Sequence, residues 1–75
     1  MKVKIRLETL TDIANFVVAV AHATGKNDAV WVKDGRGSCI SATSFLGLTA
    51  TRDFNEVWCE SDKDIYSAIS PFIVE

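Results

Sequence analysis

The segment Lys2 to Leu7 constrains the fold more than any other part of this chain. Lys2, Lys4 and Arg6 alternate with Val3, Ile5 and Leu7, and side chains on a strand point to opposite faces in turn. A strand with one charged and one apolar face belongs to a sheet covered on one side only. Parallel sheets are buried on both faces, so an antiparallel sheet with an open face is expected. The chain has 75 residues, enough for one domain near the lower size limit of a self-sufficient core. A single domain over residues 1–75 is the expectation.

From Thr9 the period changes. Thr9 or Thr11 can cap a helix, and Asp12 falls in its first turn, where a carboxylate favours the helix dipole. Ile13, Phe16, Val17, Val20 and Ala21 follow at helical spacing, with Val18 and Ala19 widening the apolar surface, and Gly25 is the expected stop. Asp28 to Lys33 reads as a second strand, with Val30 and Val32 on one side and Ala29, Trp31 and Lys33 on the other. Asp34-Gly35-Arg36-Gly37 then supplies residues that tolerate positive φ, which makes a hairpin into the next strand.

The stretch Gly37 to Thr51, GSCISATSFLGLTAT, carries that strand and a helix start. Ser38, Ile40 and Ala42 alternate with Cys39 and Ser41. The pattern breaks at Thr43-Ser44, either hydroxyl of which can accept from first-turn N–H groups, and Phe45, Leu46 and Leu48 crowd the following turn. Gly47 inside it costs about 1 kcal/mol relative to Ala, so the helix should be short and held by packing. The stretch reads either as a partner-docking helix or as a capped connector turn. Thr51-Arg52-Asp53 breaks the pattern, and Phe54 to Glu60 alternates again, placing Val57 and Cys59 opposite Glu56, Trp58 and Glu60. Ser61 and Asp64 have the spacing of a capping box for a last helix through Ile65, Tyr66, Ala68 and Ile69. Pro71 ends or kinks it, leaving Phe72 to Val74 either to continue a kinked helix or to fold back.

The order strand, helix, strand, strand, helix, strand, helix is that of an α+β domain with helices grouped on one face of a four-stranded antiparallel sheet. Trp31 and Trp58 then share the open face with Lys2, Lys4 and Arg6. They are either sheet cover under lysine stems or a contact surface for a partner or a second copy of the chain, as in a homodimer.

Composition removes several function classes. Net charge is −2 and no long basic run occurs, which argues against non-specific nucleic-acid binding. No apolar run approaches a membrane span. Cys39 and Cys59 have neither CxxC spacing nor clustered His ligands, so no zinc or thioredoxin-type site is implied, and two reduced packing cysteines are expected. The opening MKVKIRL lacks an apolar signal core, which points to a cytoplasmic protein. No metal or other cofactor is implied.

Nearly the whole chain resembles the histidine-containing phosphocarrier protein family, HPr, of the bacterial sugar phosphotransferase system. The best local match is Ser44-Phe45-Leu46-Gly47, which stands where the family has a serine, two large apolar residues and a glycine at the start of its short middle helix. The resemblance implies an open-faced β-sandwich of order βαββαβα with three helices on one side. It aligns Glu8 to Asn15 with the family's active-site loop, whose pattern is a glycine, an apolar residue, the phosphorylated histidine, an alanine, an arginine and a proline. Asp12 occupies the histidine's place, Ala14 the arginine's and Asn15 the proline's, while Leu10 replaces the glycine. Phosphoryl transfer there needs an imidazole acceptor and a nearby cation. His22, the single histidine, lies about three turns down the helix. The resemblance therefore implies a non-catalytic member. Asp12 either complements the helix N-terminus or, as the lesser reading, accepts a phosphoryl group itself. Ser44 aligns with the serine that a regulatory HPr kinase phosphorylates in many Gram-positive bacteria, although the flanking basic residues are replaced by Ala42 and Thr43. Phe45, Leu46, Gly47 and Thr49 align with the docking patch. A protein partner at residues 44–49, an HPr kinase or a phosphotransferase-linked regulator, is the implied function. An interaction module unrelated to sugar transport is the alternative.

Overall fold

The computed structural model describes residues 1–74. Four strands and three α-helices run in the order β1 (Lys2–Lys4), α1 (Leu10–Ala23), β2 (Val30–Lys33), β3 (Cys39–Ser41), α2 (Phe45–Leu48), β4 (Trp58–Ser61) and α3 (Tyr66–Ile69). The sheet is antiparallel throughout, in the order β1-β4-β2-β3. It is an α+β, open-faced βαββαβα arrangement, consistent with the HPr-like fold.

Register explains the two faces. Val3, Cys59, Val32 and Ile40 lie in one row across all four strands and point toward the helices. Ile13, Phe16 and Val20 of α1, Leu48 of α2 and Ile69 of α3 meet them in one core, all five fully buried. Burial of side chains this size contributes about 1.5–3 kcal/mol each, which is why a 14-residue helix can lie on strands of three and four residues. The rows on either side of Val3, namely Lys2, Glu60, Trp31 and Ser41, then Lys4, Trp58, Lys33 and Cys39, form the open face.

The loop between β2 and β3 turns on Gly35 and Gly37, at φ +80° and +110°, a region only glycine enters freely. Asp34 Oδ1 accepts from the N–H groups of Arg36 and Ser38 at 2.6 and 3.1 Å. These bonds hold the Asp34 carboxyl below its usual range, that of Arg36 most strongly.

Several local expectations are corrected. Gly25 is not the stop of α1. The helix ends one residue earlier at Thr24, which is extended and bonds its hydroxyl back to the Val20 carbonyl at 2.8 Å. Val18 and Ala21 face solvent, so the buried stripe of α1 is narrower than its composition suggests. The strand expected from Phe54 starts only at Trp58, because a 3-10 turn over Thr49–Asp53 extends the α2 segment instead of breaking at Thr51. The strand expected from Asp28 likewise starts at Val30. Ser61 does not cap α3. It ends β4, and its hydroxyl accepts from Lys63 N–H, while Asp64 accepts from Tyr66 N–H. After Pro71 the chain folds back: Arg6 N–H donates to Phe72 O at 2.8 Å, Val74 N–H to Lys4 O at 2.9 Å, and Ile73 bridges Ile5. Arg6 thus lies past the paired part of β1, off the open face. Cys59 is buried but Cys39 is exposed, so only one of the two free cysteines is a packing residue.

Candidate partner-docking site

β3 leads into α2 through a polar knot. Ser44 N–H donates to Ser41 O at 3.1 Å, and the Ser41 and Thr43 hydroxyls lie 3.1 Å apart. Of the two candidate caps, Ser44 is the N-cap: its Oγ accepts from Gly47 N–H at 3.1 Å and its carbonyl takes Leu48 N–H at 2.9 Å. Leu48 anchors the turn in the core. The far end is tied by Thr49, whose hydroxyl donates to Leu46 O at 2.6 Å, and by Thr51, whose hydroxyl donates to Leu48 O at 2.7 Å.

Gly47 is required here by a close approach. A Cβ at this position would stand 2.8 Å from Ile40 Cγ2 and 2.9 Å from Ser44 Oγ. The missing side chain lets the turn lie directly on β3. Phe45 and Leu46 consequently point outward, 39% and 82% exposed. The structure brings Ser44 to Thr49 together as one rigid turn that presents two large apolar side chains to solvent. Thr49 is half-buried and its hydroxyl is committed to the backbone, which makes it a support of that surface.

Asp12 is committed elsewhere. At the start of α1, Thr9 Oγ1 accepts from Asp12 N–H at 3.1 Å, while Asp12 Oδ2 accepts from Glu8 and Thr9 N–H at 3.0 and 3.2 Å. This is a reciprocal capping box, and it selects Thr9 over Thr11 as the cap. His22 is exposed in the last turn of the same helix. Among the described residues, no group of three or more His, Cys, Asp or Glu is arranged to hold a metal ion.

The sequence reading missed a second apolar stripe on α1. Leu10 and Val18 are each 52% exposed, and with Ala14 and Ala21 they recur at helical spacing beside the buried Ile13-Phe16-Val20 series. The signal was present in the chain: an apolar set at four, eight and eleven residues from Leu10 is distinct from the core set. α1 packs against α2.

On the open face, Trp31 is 42% exposed and Trp58 is half-buried. Lys2 Nζ lies 5.4 Å from the Trp58 ring centroid, and Trp58 Nε1 donates to Glu56 at 3.2 Å. Lys33 and Glu60 pair at 3.0 Å. That hydrogen bond raises the Lys33 pKa and lowers that of Glu60. A depression of about 450 Å³ lies between the end of β1 and residues 51–57, with Lys4 of the open face at its edge. None of the site residues singled out by sequence lines it.

Comparison with protein-family models, curated protein sequences and solved structures finds no match. No helix among the described residues is long and apolar enough to cross a membrane.

Proposed function

We propose that this chain is a non-catalytic HPr-like protein that binds a regulatory protein partner, an HPr kinase or a phosphotransferase-linked regulator, through residues 44–49. The observation that carries this reading is the exposure of Phe45 and Leu46 on a turn fixed from beneath by Ser44, Gly47 and Leu48. Large apolar side chains held rigidly in water gain free energy when a partner covers them, and a pre-ordered turn loses little entropy on docking. Ser44 is the switch in this reading. Its half-buried hydroxyl is the acceptor of the cap, so a phosphoryl group on Oγ would place new charge and acceptor oxygens beside Phe45 and Leu46. The capping role of Asp12 supports the absence of phosphoryl chemistry at α1.

Incubation with an HPr kinase and ATP, read by intact mass, tests the switch. One phosphoryl group should be gained by the wild type and none by Ser44→Ala. Titration of the labelled protein with the kinase should shift the amide resonances of residues 44–49, and Leu46→Asp should abolish those shifts. Unchanged mass, or phosphate on Ser44→Ala, sinks the switch. Wild-type-like binding by Leu46→Asp sinks the docking site.

A further inference from the structure

The structure assigns a covalent modification site to Met1: a hydroperoxide oxidises its thioether to the sulfoxide and thereby loosens the start of α3. The assignment is independent of the docking role of residues 44–49. Met1 extends β1 at one edge of the sheet, while α2 lies over β3 at the other.

Met1 is the single methionine of the chain, and its backbone is held firmly. The ammonium donates to the Ser61 carbonyl, and Ser61 N–H donates back to Met1 O at 2.9 Å, which continues the β1–β4 ladder past Lys2 and Glu60. The side chain then packs against the core, and its sulfur accepts from Ile65 N–H at 3.3 Å. Ile65 is the N-cap of α3, where no side-chain cap of the usual kind is made. Its carbonyl takes the N–H groups of Ala68 and Ile69 at 3.0 and 3.2 Å, and its side chain is buried. The thioether thus ties the edge of the sheet to the residue on which α3 starts, 64 positions along the chain.

A thioether suits this place because it is apolar enough to pack and is still a weak acceptor. Met1 is half-buried, not enclosed, so a small peroxide reaches the sulfur. A sulfur lone pair attacks one peroxide oxygen, and an S–O bond forms as the O–O bond breaks. The proton on the attacked oxygen passes to the departing hydroxide, which leaves as water. Sulfur loses two electrons and the peroxide gains them. The product is polar and carries its acceptor on the new oxygen, displaced from the sulfur that Ile65 N–H now meets. Ile65 is held by its buried side chain and cannot follow, and a polar oxygen set into apolar packing costs stability. Cys39, exposed on β3, is the competing sulfur, and Cys59 is buried.

The test blocks Cys39 by alkylation at neutral pH and then adds dilute hydrogen peroxide. One oxygen should be gained and should map to Met1 by tandem mass spectrometry. Tm should fall by about 4 °C or more, with faster amide exchange at Ile65 and through α3 and no change at Gly47 and Leu48. Methionine sulfoxide reductase with a dithiol should remove the oxygen and restore Tm. Biosynthetic replacement of methionine by norleucine alters this position alone and keeps the shape of the side chain without its sulfur. Peroxide should leave the Tm of that protein unchanged. The assignment is overturned if N-acetylmethionine amide in the same tube is oxidised while Met1 is not, or if the sulfoxide forms with Tm and Ile65 exchange unaltered. An equal loss of Tm in the peroxide-treated norleucine protein overturns it as well.

Discussion

Gly47→Ala separates helix propensity from packing, because the two give opposite signs. On propensity alone, alanine in a helix interior is favoured over glycine by about 1 kcal/mol. The geometry predicts a loss. The added methyl would lie 2.8 Å from Ile40 Cγ2 and 2.9 Å from Ser44 Oγ, with Ser44 Cβ at 3.3 Å. Ordinary carbon contacts begin near 3.5 Å. Neither close atom is the far end of a flexible side chain: one is a methyl on a β-branched carbon whose χ1 is restricted, the other is the acceptor that caps α2. Overpacking of this kind costs roughly 1–3 kcal/mol, and disturbance of the serine cap adds roughly 0.5–2 kcal/mol. After the propensity gain is subtracted, Gly47→Ala should destabilise the fold by about 0.5–4 kcal/mol. In a domain this size that lowers Tm by roughly 4–8 °C per kcal/mol. Urea unfolding followed by circular dichroism measures the change, and a double-mutant cycle with Ile40→Ala locates it. Removing the opposing methyl should make the double variant less destabilised than the sum of the single ones. A Gly47→Ala protein as stable as the wild type or more so, or a cycle with no coupling, would refute the close-approach account.

Three further outcomes follow from other parts of the structure. Asp12→Ala should lower stability by about 1 kcal/mol, as should Thr9→Ala, and the double variant should lose less than the sum because one capping box is removed in both, all read from urea midpoints. Phe72→Ala removes a T-shaped pair with Phe16 (5.4 Å between centroids) and a side chain packed against the core; as a half-buried ring it should cost about 2–3 kcal/mol, with a wild-type result showing that the ring is dispensable. Burial pushes the Cys59 thiol up to about 11 from 9.0, so its contribution is fully present below pH 9 and is lost as pH rises toward 11; Cys59→Ala should flatten that alkaline decline, and a thiol reagent at pH 8 should modify Cys39 alone in the native protein.

The sequence carried the sheet faces and the hairpin because each depends on local chemistry. Period-two alternation decides which side of a strand is buried, and only glycine passes easily through the φ of Gly35 and Gly37. The capped turn at α2 was legible for a similar reason, since a serine three residues before a glycine is a local capping arrangement. Errors fell where tertiary contacts overrode local signals. Phe54 to Val57 alternates like a strand, yet Val57 spends its carbonyl on Ile5 N–H at 2.9 Å outside the ladder. Ser61 and Asp64 have capping-box spacing, but Ser61 is needed in β4 beside Val30. The return of Phe72 to Val74 is fixed by hydrogen bonds to Lys4 and Arg6, some seventy residues away in sequence, which no local pattern encodes. Ala21 falls at the helical spacing of the core series and Val18 widens it, yet both face solvent, because apolar character in α1 extends beyond the stripe that contacts the sheet.

The two helix starts use the same device with different consequences, and that difference is the strongest reason to separate structure from function here. At α1 the short polar side chains satisfy each other's backbone: Thr9 takes Asp12 N–H, and Asp12 Oδ2 takes both Glu8 and Thr9 N–H. Converting that carboxylate to an acyl phosphate would replace a charged acceptor by an ester-like one and weaken two bonds that start the helix. Arg6 shares a surface depression with Asp12, and its guanidinium pairs with Glu8 at 3.4 Å on the exposed surface. At α2 the Ser44 cap leaves Phe45 and Leu46 in water, and the absent Cβ of Gly47 keeps them there by seating the turn on Ile40. The first cap is closed on itself and is followed by exposed Leu10 and buried Ile13. The second ends in exposed apolar surface, which is the feature on which the proposed docking role of residues 44–49 rests.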